Sequence, residues 1–259
     1  MKKLAVAATQ ILLLLMIALY WQYDSVETQL FSRPSIIIPR VVELWHGVIG
    51  LPPLWRQVSD TLQATLLGLA LGIGLGFSIG VVFAEFPVIR ESAAPYLNAI
   101  NAVPRVAWVP VLTMMFGFGL VTKIIMSALI VFLVVFFNVL DAATHAPEHL
   151  LRNVRALGGS RWASVRDVRI WVGLGALMAA LPSAVALALV GVVFAESLAA
   201  ESGLGSLMFN AMHANDTRDL MISAIMLAAI GVVLAGAVHV LQSWLAMRLP
   251  QDLRGDNHE

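Results

Sequence analysis

The sequence predicts an all-α integral membrane protein with about six transmembrane helices and one protruding polar loop. The chain is 59% hydrophobic and only 12% charged, whereas an ordinary soluble domain carries about 25% charged residues. Its apolar residues are collected in runs of about 20, the length that a helix needs to cross about 30 Å of hydrocarbon. Between the fourth and fifth runs, residues 144–170 are polar and carry five arginines. This segment must therefore lie outside the membrane core.

The candidate spans are residues 4–20, 61–84, 97–118, 123–140, 172–195 and 220–247. The first follows Lys2 and Lys3 and resembles a signal peptide, but no clear small-x-small cleavage site follows it. We therefore predict that it is retained as a membrane helix. The third is interrupted by Pro104, Arg105 and Pro110. Because proline removes a backbone donor, we predict that this helix is broken.

The charges of the loops predict the orientation of the spans. Lysine and arginine are enriched in cytoplasmic loops, so we place loop 144–170 and both termini in the cytoplasm. Loop 196–219, on the other side, holds four acidic residues against one arginine. Residues 21–60 are too polar to cross the membrane, and we expect them outside, with a short amphipathic helix over 39–48. An odd number of spans would place the basic C-terminal tail outside, against the same rule.

The second span carries a stripe of small residues. Residues four apart share one face of a helix, and small side chains there allow two backbones to approach closely in lipid. The stripe predicts either a tight contact within the chain, which we favour, or a dimer seam. Its members are Ala64, Gly68, Gly72, Gly76, Gly80 and Ala84.

A few polar side chains inside the spans are candidates for lining a pathway through the membrane. Arg105 in the broken third span is a functional candidate by default, although it could also snorkel to the cytoplasmic face. Trp108 lies beside the break. We expect Asn138 to hydrogen-bond to another helix, with solute contact as the alternative. Glu196 could pair locally or line the outer mouth.

Signatures of several other functions are missing from the sequence. His145 and His149 are four residues apart, but Pro147 lies between them and no third ligand is near, so we predict no metal site. The chain contains no cysteine and no G-x-x-x-x-G-K-[ST] motif, so we do not expect it to bind ATP itself. It also contains no H-E-x-x-H and no G-x-S-x-G. These absences argue against an enzyme and against a cofactor held by this chain.

Three segments together resemble the permeases of binding-protein-dependent ABC transporters. Residues 157–162, LGGSRW, resemble the L-G-A-S-R-W of that family's cytoplasmic loop. Residues 107–123 resemble its A-W-x-P-L-x-x-x-x-F-G-x-G-x-x-x-K, and residues 193–205 resemble its V-V-A-E followed by G-L-G. The resemblance extends over about residues 60–247 and is nearest to the permeases of sulfonate, taurine and nitrate importers.

The resemblance implies a bacterial inner-membrane importer subunit. Two permease subunits would form the pathway, a periplasmic or lipid-anchored binding protein would deliver the solute, and a separate ATPase would bind ATP and Mg. The organisation would be a first helix and periplasmic segment (1–60), a permease core (61–247) and a cytoplasmic tail (248–259). The residues implied in contact with the ATPase are Arg152, Arg155, Leu157, Gly158, Gly159, Ser160, Arg161 and Trp162.

The loop also departs from the family pattern. The family's Glu-Ala-Ala falls on residues 152–154, Arg-Asn-Val, and both prolines of the following L-P-A-A-L-P are absent from residues 170–175. These changes leave open whether a standard ATPase docks, and whether the permease pairs with itself or with a different subunit. Two other functions are alternatives to an importer subunit. A channel or secondary transporter would favour intramembrane acid–base pairs, which we do not expect here. A membrane anchor for a soluble enzyme would not require the broken third span.

Overall fold

The computed structural model describes residues 32–199 and 202–246, together with Thr9, Leu12, Leu13, Met16 and Gln22. Within this part of the chain, every regular element is helical. A 3-10 turn (Arg105–Ala107) and a π-helical segment (Val165–Arg169) connect some of the α-helices. The α-helices are α1 (Pro34–His46), α2 (Leu54–Glu85), α3 (Pro87–Ala102), α4 (Trp108–Phe116), α5 (Leu120–Thr144), α6 (Glu148–Ala156), α7 (Arg161–Ser164), α8 (Ile170–Ala199), α9 (Leu204–His213) and α10 (Thr217–Ala246).

The membrane spans of the described residues agree with the predicted all-α membrane fold. Four helices are long and apolar enough to cross a bilayer: Leu54–Glu85, Leu120–Thr144, Arg161–Leu198 and Thr217–Trp244. The predicted third span is a pair of helices, Pro87–Ala102 and Arg105–Phe116, bent by 88°, and would count as a fifth. The predicted first span lies almost wholly outside the described residues.

Several boundaries differ from their predictions: the second span begins at Leu54 rather than at residue 61, and the third begins at Pro87 rather than at residue 97. The fifth span begins earlier than expected, because α7, the π-helical segment and α8 form one continuous helix from Arg161 to Leu198. The arginines in this stretch must lie outside the hydrocarbon, but they can still belong to a helix. The irregular part of the loop therefore ends near residue 160. The short helix expected over residues 39–48 begins five residues earlier, at Pro34, where proline is favoured in a first helical turn.

The centre of the fold is α2 packed along α5, with α8 against both. The glycines of the stripe face α5: a Cβ built on Gly68 would lie 2.4 Å from Ser127 Cβ, and one on Gly72 would lie 2.6 Å from Val131 Cβ. At Gly76 the nearest atom would be the Phe132 carbonyl oxygen, 2.9 Å away. The small residues thus allow contact between two helices of one chain, which in lipid depends on close backbone packing.

The helices meet at two ends of the bundle. We call the loop end the one where α2 and α5 finish, at Glu85 and Thr144, and where α6 and the π-helical segment lie. The opposite end contains the beginnings of α2 and α5, the end of α8, and all of α9. At this end α1 packs Ile37 and Leu44 into a buried cluster with residues of α2, α9 and α10.

Candidate functional site

The protruding segment at the loop end is a short helix hairpin. Helix α6 follows Pro147, and its buried Leu151 packs with Ala146 and Val168 at the base of the hairpin. On its outer side, Arg152 pairs with Glu148 at 2.8 Å, with both side chains at least 70% exposed. An ion pair this exposed stabilises little. The hairpin is therefore held by its apolar base and not by this ion pair.

The turn of the hairpin uses its two glycines for different reasons. Gly158 has φ +77°, a backbone conformation that costs side-chain-bearing residues energy. At Gly159, a Cβ would lie 2.6 Å from Val154 Cγ1 and 2.7 Å from the Val154 carbonyl oxygen. Ser160 then caps α7, because its Oγ accepts a hydrogen bond from the Ala163 amide at 3.4 Å. The chain reverses here and enters the long helix that becomes α8.

The tip of the hairpin exposes large apolar side chains beside arginines. Leu157 is 89% exposed and Trp162 is 68% exposed, while Arg155 and Arg161 are also exposed. We call these four residues the tip surface. Large apolar groups outside the hydrocarbon region mark interaction sites, and Trp and Arg are enriched where binding energy is concentrated. The arrangement suits insertion into a groove on a soluble protein with acidic edges.

A buried ion pair connects the base of this hairpin to two membrane helices. Arg169, the last residue of the π-helical segment, donates from Nε to Glu85 Oε2 at 2.7 Å. Its Nη1 donates to the carbonyl oxygen of Ala143, in the last turn of α5. The two charged side chains are only 10% and 8% exposed. We call Arg169, Glu85 and Ala143 the Arg169 cluster; no pattern in the sequence predicted it.

A second polar cluster lies at the opposite end of the bundle. The Glu196 carboxylate accepts hydrogen bonds from Thr61 Oγ1 at 2.8 Å, from Lys123 Nζ at 3.2 Å and from the Gly205 amide at 2.9 Å. Lys123 also donates to the Ser202 carbonyl oxygen at 2.6 Å. Lys123 and Glu196 are 3% and 0% exposed. The cluster joins α2, α5 and α8 to the start of α9.

This pair corrects the expectation that acid–base pairs are absent from the spans. Lys123 and Glu196 are 73 residues apart and each stands in an otherwise apolar stretch. Opposite charges alone in two apolar spans are the sequence signal that could have predicted their pairing. Lys123 and Glu196 bond to each other and to groups of α2, α9 and the loop before α9, so the pair holds these elements together. Glu196 thus pairs with residues of other helices and not with a neighbour in the sequence.

Two further contacts fix the outer helix α1 and the loop before α9. Arg40 binds Asp219 at the start of α10 with two hydrogen bonds of 2.8 Å, and the Asp219 carboxylate holds the pKa of Arg40 above its ordinary value. At Gly203 the backbone has φ +120°, and a Cβ there would lie 2.0 Å from Glu196 Oε1. A side chain at this position would require a strained backbone and would force the Glu196 carboxylate to move.

The remaining pathway candidates do not form one site within the chain. Arg105 lies in the 3-10 turn between α3 and α4, with Trp108 one turn later, and both are partly exposed. Asn138 is near the loop end, exposed, and donates to the Val134 carbonyl oxygen of its own helix at 2.8 Å. The expected bond from Asn138 to another helix is therefore not made. An apolar cavity of about 730 Å³ lies between α8 and α10, and its lining offers nothing to bind an anion.

Three comparisons relate these features to known proteins. Residues 69–250 match the family described as binding-protein-dependent transport system inner membrane component. The riboflavin transport system permease protein RibX of Chloroflexus aurantiacus is 31% identical over 90% of this chain and 88% of that protein. The taurine transport system permease protein TauC of Escherichia coli is 24% identical over 73% of this chain and 69% of that protein. In fold, the chain is similar to a subunit of the inward-facing MetNI methionine ABC transporter, with a TM-score of 0.65 at 18% identity, over 73% of this chain and 94% of the other.

Proposed function

Because the chain belongs to the binding-protein-dependent transport system inner membrane components, the permease subunits of ABC importers, we propose that its hairpin at residues 145–164 docks a separate ATPase. The permease core over residues 61–247 would form the solute pathway together with a second permease subunit. The ATPase would bind ATP and Mg, and the hairpin would receive the motion of ATP binding. The loop end would face the cytoplasm.

One observation carries this proposal: the apolar and basic tip surface stands on a rigid base. Leu157 and Trp162 are exposed in an arginine-rich stretch at the loop end, and no residue of the described part of the chain covers them. Trp162 belongs to the helix that continues without interruption from Arg161 to Leu198. A force applied at the tip would therefore reach the membrane directly along α8. Arg152 stands where the family has an acidic residue, so the ATPase groove should carry acidic side chains.

A passive anchor for a soluble enzyme is the second candidate for the hairpin, since it too would require an exposed tip. It gives no role to the broken helix pair α3 and α4, whose bend of 88° places Arg105 at the break. Irregular backbone at membrane depth is tolerated where it faces protein or a water-filled cavity. We therefore assign the bend, with Arg105 and Trp108, to the solute pathway.

The cargo we propose is a small polar or anionic solute delivered by a periplasmic or lipid-anchored binding protein. TauC and RibX are permeases whose names refer to taurine and riboflavin, so the relatives include carriers of both a sulfonate and an aromatic heterocycle. The Arg105 guanidinium supports an anionic group, since it is a cation that lies at the break itself. Binding assays on the cognate binding protein with taurine, nitrate and riboflavin would separate these classes. Binding of riboflavin alone would overturn the anionic assignment.

The docking proposal is tested with the tip surface. Trp162→Ala and Leu157→Ser should reduce co-purification of the ATPase with the permease in detergent, and should reduce uptake into proteoliposomes in parallel. Ile49→Ala is the matched control, because Ile49 is fully exposed at the opposite end of the bundle. If all three variants retain the ATPase equally, the tip surface is not the docking site. If wild-type permease retains no ATPase at all, the coupling proposal itself fails.

A further inference from the structure

We propose that Arg169 is the positioning residue that connects the docking hairpin to the membrane helices α2 and α5, so that motion at the hairpin moves all three spans together. The proposal rests on the docking function proposed above and assigns one residue to its transmission. Arg169 does not touch the ATPase or the solute. It acts through Glu85, at the end of α2, and through the Ala143 carbonyl oxygen, at the end of α5.

The electrostatics of the loop end favour a cation at this position. The C-terminus of a helix carries a partial negative charge, and its last carbonyl groups have no partners within the helix. Two such ends, those of α2 and α5, meet here, and Glu85 adds a full negative charge to one of them. Without a cation the carboxylate would be buried at the unfavourable end of its own helix. Arg169 places one positive charge against both the Glu85 carboxylate and the end of α5.

The geometry of the contact requires arginine. One guanidinium serves two acceptors on different helices, with Nε directed at Glu85 and Nη1 at Ala143. A guanidinium holds its donors in a fixed planar fork, whereas a lysine ammonium is a compact charge on a flexible stem. Lysine at this position could neutralise Glu85 but could not hold both helix ends in a defined relation.

The backbone around Arg169 supports a role in transmission. The segment Val165–Arg169 is π-helical, within a helix that is otherwise α-helical from Arg161 to Leu198. Single π-helical turns of this kind are rare and occur frequently at functional sites. Val165 is buried in the main core of the bundle, and Val168 is buried with Leu151 of the hairpin. This segment is thus the place where the hairpin, the core and the Arg169 cluster meet.

The test uses Arg169→Gln with Arg166→Gln as the matched control. Arg166 lies in the same π-helical segment, but its side chain is 67% exposed and, among the residues that the structure describes, pairs with the adjacent Asp167 alone. Each variant is reconstituted with the ATPase and loaded binding protein in proteoliposomes. Three quantities are measured for each: the ATPase retained, the rate of ATP hydrolysis, and the solute imported per ATP hydrolysed.

We expect Arg169→Gln to retain the ATPase and to hydrolyse ATP, but to import at least about tenfold less solute per ATP, within the range of ordinary coupling energies. Arg169→Lys should lie between this variant and the wild type, and Arg166→Gln should equal the wild type. A merely structural role would lower the yield of folded permease and leave the ratio of import to hydrolysis unchanged in the folded fraction. That result, or an unchanged ratio at normal yield, would overturn the proposal.

A second variant and the wild-type control keep the test decisive. If Arg169→Gln does not fold, Glu85→Gln removes the charge but keeps an acceptor for the Nε donor, and the same loss of import per ATP is expected from it. Normal coupling in a folded Glu85→Gln would refute the role of the ion pair. If the wild-type permease does not bind the ATPase, the proposed function is contradicted instead. The two failures are therefore distinguishable.

Discussion

Replacing Gly72 by alanine should destabilise the bundle although it adds a single methyl group. The added Cβ would lie 2.6 Å from Val131 Cβ, 2.7 Å from Val131 Cγ1 and 2.8 Å from the Ala128 carbonyl oxygen. Carbon atoms pack best at about 3.5–4.0 Å, so α2 and α5 would have to separate by roughly 1 Å. One of the three contacts is with a backbone atom, which cannot move away by rotation of a side-chain bond.

Gly74 provides the matched control for this substitution. It lies two residues away on the same helix, and a Cβ built there meets nothing within 4 Å. Both substitutions replace glycine by alanine in mid-helix, so their gains in helix propensity cancel when the two variants are compared. The difference between them isolates the steric cost, which for overpacked sites is about 1–3 kcal/mol.

The assay is reversible unfolding of the purified permease in mixed micelles with increasing SDS, followed by circular dichroism. Gly72→Ala should be less stable than Gly74→Ala by about 1–3 kcal/mol, and Gly72→Leu should not assemble. Adding Val131→Ala to Gly72→Ala should recover only part of the loss, because it removes Cγ1 but leaves the contacts with Cβ and with the Ala128 carbonyl oxygen. Equal stability of Gly72→Ala and Gly74→Ala would refute the assignment of the stripe to this contact.

Three further predictions test other parts of the molecule. Gly158→Val, at a backbone φ of +77°, should abolish uptake and binding-protein-stimulated ATP hydrolysis together while the permease stays in the membrane; normal stimulation and uptake would contradict a coupling role for the turn. A cysteine introduced at Ser160 should resist an impermeant thiol reagent added outside intact cells and react in inverted vesicles; labelling from outside would reverse the proposed orientation. Lys123→Met should lower stability in the SDS assay by about 3–5 kcal/mol, because it leaves the buried Glu196 charge unpaired; adding Glu196→Gln should restore part of this loss, and additive losses would show that the two residues do not interact.

The sequence by itself determined the features that depend on local pattern. Runs of apolar residues specified the four long spans, because a helix must be about 20 residues long to cross the hydrocarbon. Proline and Arg105 specified the broken third span, and the four-residue spacing of glycine placed one close-packed face on α2. The turn at Gly158 was also predictable, since a positive φ is a property of one residue and its neighbours.

Only the tertiary structure decided which distant groups meet. Arg169 and Glu85 are 84 residues apart, and Thr61 and Glu196 are 135 apart. Their pairing depends on how each helix is rotated about its axis and how far it is shifted along its neighbour. The irregular part of the protruding loop also proved shorter than its polarity suggested, because the arginines from Arg161 onward lie on a helix that continues into the membrane. Hydropathy reports where a segment can lie, but the packing of one helix against another selects the contacts that fix it there.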